Sequence, residues 1–142
     1  MDVSAPAVLT DRVRAFLAEP SYATLATIGE DGAPHQAVIW YRLDPDDRIL
    51  VNSRSPRRWP SDLVRDGRCS LAVTDVGDPF RWVGLQTEVE TVVDDVSTAR
   101  EDIVALAVRY AEDDDESVAT FRTQSRISFR LRIVGVHDHL DE

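Results

Sequence analysis

The chain has 142 residues, of which 43% are hydrophobic, and it carries a formal net charge of -10 at pH 7. This length suits one globular domain over residues 1–142, and the hydrophobic content does not indicate disorder. The acidic balance argues against a nucleic-acid binder or a binder of anionic membranes, because both need a basic surface. Every Lys/Arg position is arginine, which excludes a catalytic lysine and Schiff-base chemistry.

The elements read in chain order as short strands separated by turns. Residues 8–17 have helical spacing, with Thr10 or Asp11 as the N-cap. Strands are predicted over 22–28, 34–43, 48–53, 69–75, 82–93 and 126–137, and Gly32 supplies the positive φ of the first hairpin. Further helices are predicted near 60–67, over 98–110 with Ser97 as the N-cap, and over 117–124. Residues 112–116 are expected to form a solvated acidic loop.

These elements predict a mainly β (α+β) fold: a six-stranded antiparallel β-barrel with peripheral helices. The strands follow one another too closely for a doubly wound parallel sheet, which needs helices between nearly all strands. The single Cys69 excludes an internal disulfide. Because no signal peptide, lipidation motif or long apolar run is visible, we expect a cytoplasmic protein.

A basic patch lies where the third strand leads into the second helix. Hydroxyl and guanidinium groups are close together there, as a phosphate requires. The alternative is an exposed loop whose arginines pair with local acids such as Asp62. The residues of the patch are Ser53, Arg54, Ser55, Arg57 and Arg58.

The runs YATLATIGEDGAPHQAVIWYRLD and RILVNSRSPRRWPSDLVRDGRCSLAV resemble the pyridoxamine 5'-phosphate oxidase-like split β-barrel proteins. Within that superfamily the chain is similar to the reductases that use the deazaflavin coenzyme F420 or FMN. The resemblance implies a homodimer with cofactor sites at the subunit interface. It also implies an oxidoreductase that transfers a hydride between bound F420, or alternatively FMN, and a small organic acceptor.

The resemblance also implies where the cofactor lies. The ring would follow the second and third strands, and the phosphate would sit at the end of the third strand and in the basic loop. A partner subunit would close the site with its fifth strand. The residues implied are Gln36, Val38, Ile39, Trp40, Val51, Asn52, Ser53, Arg54, Arg57, Arg58 and Trp82.

Two departures from the family pattern affect this site. Members commonly carry a lysine in the phosphate segment, where this chain has Arg57, Arg58 and Trp59. Arginine can replace lysine there as a bidentate phosphate partner. The fifth strand often has a glycine near its middle, where this chain has Gln86 and Thr87.

The sequence alone allows two interpretations for several side chains. Even spacing places Gln36 and Trp40 on one face of the second strand, but Trp40, Trp59 and Trp82 can each line a pocket or simply pack. His35 is either an acid–base group or a solvated residue at a strand start, and no catalytic residue is identified. The sequence His137-Asp138-His139 lacks further ligands, so no metal is expected. The alternative function is a non-catalytic protein that sequesters flavin or haem.

Overall fold

The computed structural model describes residues 5–141, which form seven strands and four helices. The strands are β1 (Ala23–Ile28), β2 (Pro34–Ile39), β3 (Arg42–Leu43), β4 (Arg48–Arg54), β5 (Arg68–Thr74), β6 (Trp82–Val93) and β7 (Arg126–His139). The helices are α1 (Asp11–Leu17), α2 (Arg58–Arg65), α3 (Val96–Arg109) and α4 (Asp115–Phe121). All strands join one antiparallel sheet in the order β2-β1-β5-β6-β7-β4-β3.

The two edge strands of this sheet are consecutive in the chain, which curls the sheet into a split barrel. Ile39 of β2 pairs with Ala23 of β1, whereas Arg42 of β3 pairs with Leu50 of β4. The predicted antiparallel split barrel with peripheral helices is therefore confirmed. The prediction of six strands is wrong, because the segment 34–43 is two strands that pair with different neighbours.

Tyr41 explains the break between β2 and β3. Its backbone N–H donates to the hydroxyl of Tyr110 at 3.1 Å, and its own hydroxyl donates to the carbonyl of Leu17 at 2.9 Å. Because each backbone N–H is a single donor, that of Tyr41 is bonded to a side chain and not to a neighbouring strand. Tyr41 itself is fully buried. The chain thus changes partner strand around one anchored tyrosine.

The hydrophobic core fills the barrel interior, and a smaller cluster lies between β4 and α3. Strand residues that are at most 2% exposed dominate the core: Leu25, Val51, Leu71, Val83, Leu85, Phe129, Leu131 and Ile133. Helix α1 adds Val13, Phe16 and Leu17 to the same core. The smaller cluster consists of Leu50, Ile103 and Leu106, with Trp40 and Phe121 packed against it.

Three of the four helices within residues 5–141 begin at a residue whose side chain accepts a hydrogen bond from the first turn. Thr10, one of the two predicted N-caps, accepts from the N–H of Val13. Asp95, and not the predicted Ser97, caps α3, and Asp114 caps α4 within the stretch predicted to be a loop. A carboxylate at a helix N-terminus both accepts the free N–H groups and complements the helix dipole. Within residues 5–141, no helix is long and apolar enough to span a membrane.

Candidate functional site

A cavity of about 410 Å³ opens where the end of β4, the start of β7 and the beginning of α2 meet. Strands β4 and β7 are antiparallel with Arg54 opposite Arg126, so the end of one lies beside the start of the other. Arg57 is the N-cap of α2 and follows β4 closely, which brings it to the same place. We name this site the Arg126 cavity; its polar lining is Asn52, Ser53, Arg57 and Arg126.

Arg126 carries a buried positive charge into this cavity. The residue is only 9% exposed. Its guanidinium donates to Oε1 of Gln124 at 2.6 Å and to Oδ1 of Asn52 at 3.2 Å. It also lies over the ring of Phe121, with the guanidinium carbon 5.2 Å from the ring centroid. All three partners are uncharged, so they solvate the guanidinium without neutralising it.

Positive charge accumulates in this region without an ion-paired carboxylate. Burial, together with the charges of Arg54 and Arg57, lowers the pKa of Arg126 to about 10, and the side chain stays protonated at neutral pH. Within residues 5–141, none of these three arginines forms an ion pair. Arg132 is buried to a similar extent but pairs with two carboxylates. An anion would therefore stabilise the Arg126 cavity, because a buried charge needs a partner.

Much of the remaining lining of the cavity is aromatic and apolar. Trp40 and Tyr22 line it, and each stacks on Tyr110, with ring centroids 5.1 Å and 5.6 Å away. The hydroxyl of Tyr110 donates to the carbonyl of Ser21 at 2.6 Å, which fixes the shared ring. Val38, also in the lining, is 73% exposed although it is apolar. A flat aromatic molecule with an anionic group would match both the aromatic and the cationic parts of this lining.

The structure distributes the predicted site residues over several places. Six of them line the Arg126 cavity: Val38, Ile39, Trp40, Asn52, Ser53 and Arg57. Gln36 and Trp82 line a second cavity, and Arg58 lines a third, so Gln36 and Trp40 do not share a site in this chain. Val51 is fully buried in the core. Arg54 is exposed and sits opposite Arg126 at the end of β4.

Sequence reasoning missed five lining residues, namely Tyr22, Ala37, Ile103, Phe121 and Arg126. The position of Arg126 at the start of the last predicted strand was visible in the sequence, but the pairing of that strand with β4 was not.

The side chain of Asn52 is hydrogen-bonded within the protein, although it was predicted to contact the cofactor. Its Nδ2 donates to the carbonyl of Ala99 at 2.8 Å and to Oγ of Ser128 at 2.7 Å, while its Oδ1 accepts from Arg126. Asn52 is therefore held by α3 and β7, and it holds the guanidinium of Arg126 by a hydrogen bond.

The second cavity, of about 540 Å³, lies over β1, β5, β6 and β7, and we name it the Trp82 cavity. Small residues form much of its lining: Thr24, Ala26, Ser70, Ala72, Gly84 and Gly135. The Trp82 ring lies against Gly84, where an added Cβ would come within 2.9 Å of a ring atom. The same ring stacks on His137 at 4.9 Å. By contrast, Trp59 lines the Arg126 cavity and also packs on Phe129.

The third cavity, of about 490 Å³, contains Arg58 and we name it the Asp62 cavity after its buried carboxylate. Asp62 accepts from the hydroxyl of Thr27 at 2.8 Å and from Arg65 at 2.8 Å, and Nδ1 of His35 lies 3.0 Å from it. Asp62 therefore does not pair with Arg57 or Arg58. His35, with a side chain only 26% exposed, is a partner of Asp62 and not a freely solvated residue. Within residues 5–141, no group of three or more His, Cys, Asp or Glu side chains is arranged to hold a metal ion.

Known proteins resemble this chain in sequence and in fold. The family model described as pyridoxamine 5'-phosphate oxidase matches residues 9–138. No curated protein matches the sequence. Among solved structures, an F420 reductase is similar over 91% of this chain and 98% of its own, with 20% identity and a TM-score of 0.75.

Two further solved structures have the same fold. A conserved hypothetical protein, Rv2991 from Mycobacterium tuberculosis, is 24% identical over 98% of this chain and 91% of its own, with a TM-score of 0.74. HutZ, the haem storage protein from Vibrio cholerae, is 16% identical over 93% of this chain and 95% of its own, with a TM-score of 0.69. The structural similarities establish the fold, and the family model covers most of the sequence. The chain therefore belongs to the pyridoxamine 5'-phosphate oxidase family of split β-barrel proteins.

Proposed function

We propose that this protein is an oxidoreductase that binds F420, or alternatively FMN, in the Arg126 cavity and transfers a hydride between this cofactor and a small organic acceptor. The observation that carries the proposal is the buried guanidinium of Arg126, which has only uncharged partners. A phosphate ester would supply the missing negative charge. Arg57 and the hydroxyl of Ser53 line the same cavity and add donors.

The residues present fit both the phosphate and the ring of such a cofactor. Arg126 and Arg57 would hold the phosphate, and Trp40 and Tyr22 would form an aromatic wall for the ring. When bound, the cofactor supplies the reduced ring from which a hydride is transferred. The cavity lining includes no Asp, Glu, His or Cys side chain, so the protein contributes binding, orientation and exclusion of water. We identify no residue as a catalytic acid or base.

F420 is the preferred cofactor of the two. The RDGR segment, residues 65–68, looks more like the deazaflavin branch of the superfamily, and the solved F420 reductase shares the fold over nearly its whole length. The additional positive charge of Arg54, exposed beside the cavity, would suit a ligand with more than one acidic group. FMN is the alternative, because its phosphate would suit the arginines and its ring would suit the aromatic side chains of the same cavity.

We also propose that the protein is a homodimer and acts in the cytoplasm. The small-residue surface of the Trp82 cavity would let a second copy approach closely, and Trp82 of that copy would close the Arg126 cavity. Two of the predicted contacts, Gln36 and Trp82, lie on this surface and not in the Arg126 cavity, as expected if they act across an interface. A monomeric mass in solution at micromolar concentration would contradict the dimer.

The test is a fluorescence titration of the cofactor-free protein with F420 and FMN in parallel. We expect micromolar or tighter affinity for F420, and oxidation of the reduced F420 that accelerates when candidate acceptors are added. Binding without acceptor-dependent oxidation would make the protein a carrier. Binding of neither cofactor would contradict the proposal.

A haem-binding protein is the second candidate, and His137 is the observation that favours it. Its exposed imidazole lies at the Trp82 cavity and stacks on the Trp82 ring, so His137 would hold the iron of a haem and Trp82 would contact the ring. The fold is shared with a haem storage protein. Titration with haemin tests this: binding that disappears in His137→Ala would support it, and binding that is unchanged in that variant would exclude this site.

A further inference from the structure

Asp102 and Ser128 lie outside the Arg126 cavity but are connected to it. Ser128 is completely buried and its hydroxyl donates to Oδ2 of Asp102 at 2.8 Å. The same hydroxyl oxygen accepts from Nδ2 of Asn52 at 2.7 Å, and Oδ1 of Asn52 accepts from Arg126 at 3.2 Å. Four side chains from α3, β7 and β4 thus form one continuous hydrogen-bonded chain.

Every hydrogen bond of this chain points in the same direction. Arg126 donates to Asn52, Asn52 donates to Ser128, and Ser128 donates to Asp102. An ionised carboxylate has no hydrogen to donate, so the hydroxyl of Ser128 must direct its hydrogen toward Asp102. That leaves the oxygen of Ser128 free to accept, which in turn fixes the amide of Asn52 with its oxygen toward the guanidinium.

We propose that Asp102 and Ser128 are positioning residues that orient Asn52 and thereby hold the guanidinium of Arg126 toward the anionic group of the ligand. This inference rests on the proposed function, because it assigns the device that prepares its phosphate site. Neither Asp102 nor Ser128 lines the cavity, so they act on a ligand only through Asn52 and Arg126. In this arrangement Arg126 donates to the fixed amide oxygen of Asn52, which is neutral. The positive charge of Arg126 is therefore still available to an anion.

The alternative explanation is that Asp102 only stabilises the packing of α3 on β7. The carbonyl of Ala99 on α3 already accepts a second hydrogen bond from Nδ2 of Asn52. This bond alone could hold the Asn52 amide in its observed orientation, and it does not involve Asp102. A purely structural role predicts that loss of Asp102 affects stability and leaves discrimination of the phosphate unchanged.

The test compares Asp102→Asn with Glu101→Gln. Both replace one α3 carboxylate by an amide of the same shape and remove the same charge. Glu101 is exposed and makes only a 3.6 Å ion pair with Arg122, so it lies outside the hydrogen-bonded chain. In Asp102→Asn, the new amide can donate to Ser128, which allows the hydroxyl and the Asn52 amide to reverse.

The readout is the ratio of two dissociation constants, for a cofactor with its phosphate and for the same ring without it. The pairs are FMN with riboflavin, and the deazariboflavin of F420 with and without a 5'-phosphate. We expect Asp102→Asn to weaken binding of the phosphorylated member about tenfold, the value of one hydrogen bond to a charged group, and to leave the other member unchanged. Ser128→Ala should shift the ratio in the same direction, and Glu101→Gln should not shift it.

Arg126→Ala separates failure of this inference from failure of the proposed function. If Arg126→Ala reduces the preference for phosphate while Asp102→Asn behaves like Glu101→Gln, the positioning role is wrong and the phosphate site stands. If Arg126→Ala leaves the ratio unchanged, the phosphate site is wrong and the positioning role falls with it. Equal weakening of both ring compounds by Asp102→Asn would show a structural role only and would also overturn the inference.

Discussion

The hydroxyl of Thr27 donates a 2.8 Å hydrogen bond to the buried carboxylate of Asp62, and this bond joins β1 to α2 inside the protein. His35 from β2 and Arg65 from α2 are bonded to the same carboxylate. Helix α2 is therefore fixed to the β1–β2 hairpin one turn after its first residue. Because Arg57 is the N-cap of this helix, Asp62 also sets where Arg57 enters the Arg126 cavity.

Replacing Asp62 by alanine should destabilise the protein. The change leaves the buried hydroxyl of Thr27 without its acceptor and separates two further donors from theirs, and we expect the free energy of unfolding to fall by about 2–3 kcal/mol. Urea unfolding followed by circular dichroism measures this. Asp66→Ala is the control, because Asp66 pairs with the exposed Arg68 and should change stability by less than about 1 kcal/mol. Equal losses in the two variants would contradict the role of Asp62.

Asp62 should also contribute to the acid limb of the stability curve. Burial acts to raise its pKa, but the hydrogen bonds from His35, Arg65 and Thr27 outweigh burial, so the net pKa lies below the ordinary value of 3.8. A carboxyl with a lowered pKa in the folded state contributes stability above its unfolded pKa and loses it as the pH falls through the folded value. We expect the free energy of unfolding to decline below about pH 4, and less steeply in Asp62→Asn. Parallel curves for the two proteins would rule out this contribution.

Arg57 and Arg58 are neighbours with the same charge, but they line different cavities. Arg57→Ala should weaken binding of the phosphorylated cofactor by about 2 kcal/mol, the value of one charge-assisted hydrogen bond. Arg58→Ala removes the same charge and should leave the affinity nearly unchanged. The dissociation constants of both variants, from fluorescence titration, test the assignment. A larger effect of Arg58→Ala would move the phosphate to the Asp62 cavity.

Arg109 connects the end of α3 to the segment that follows α1. Its guanidinium donates to the carbonyl oxygens of Tyr41, Ala18, Leu17 and Glu19. We expect Arg109→Ala to lower the free energy of unfolding by about 1.5–3 kcal/mol, because these carbonyls lose a charged donor. Arg109→Lys should recover only part of the loss, since an ammonium cannot reproduce the planar arrangement of donors. Thermal unfolding of both variants measures this, and full recovery by lysine would show that charge alone matters.

The order of strands and helices follows from the sequence because alternation, turn residues and caps are local signals. The division of 34–43 into β2 and β3 does not, since it depends on the Tyr41 N–H meeting the hydroxyl of Tyr110. These two residues are far apart in sequence and no local pattern connects them. The same limit explains the misplaced start of α3, where Asp95 and Ser97 are both acceptable caps by residue type.

The candidate site was predicted only in part for a related reason. Asn52, Ser53 and Arg57 lie together in sequence, so their convergence could be anticipated. Arg126 joins them through the pairing of β7 with β4, which places it opposite Arg54. Its unneutralised charge is a property of the three-dimensional arrangement, because no carboxylate within residues 5–141 forms an ion pair with its guanidinium.

The most direct test of the account is a crystal structure of the protein with the cofactor that it binds in titration. We expect phosphate oxygens within hydrogen-bond distance of the guanidinium groups of Arg126 and Arg57, with the ring against Trp40. A phosphate bound at Arg58 and Arg65 in the Asp62 cavity, or a cofactor that leaves Arg126 without an anion, would contradict it.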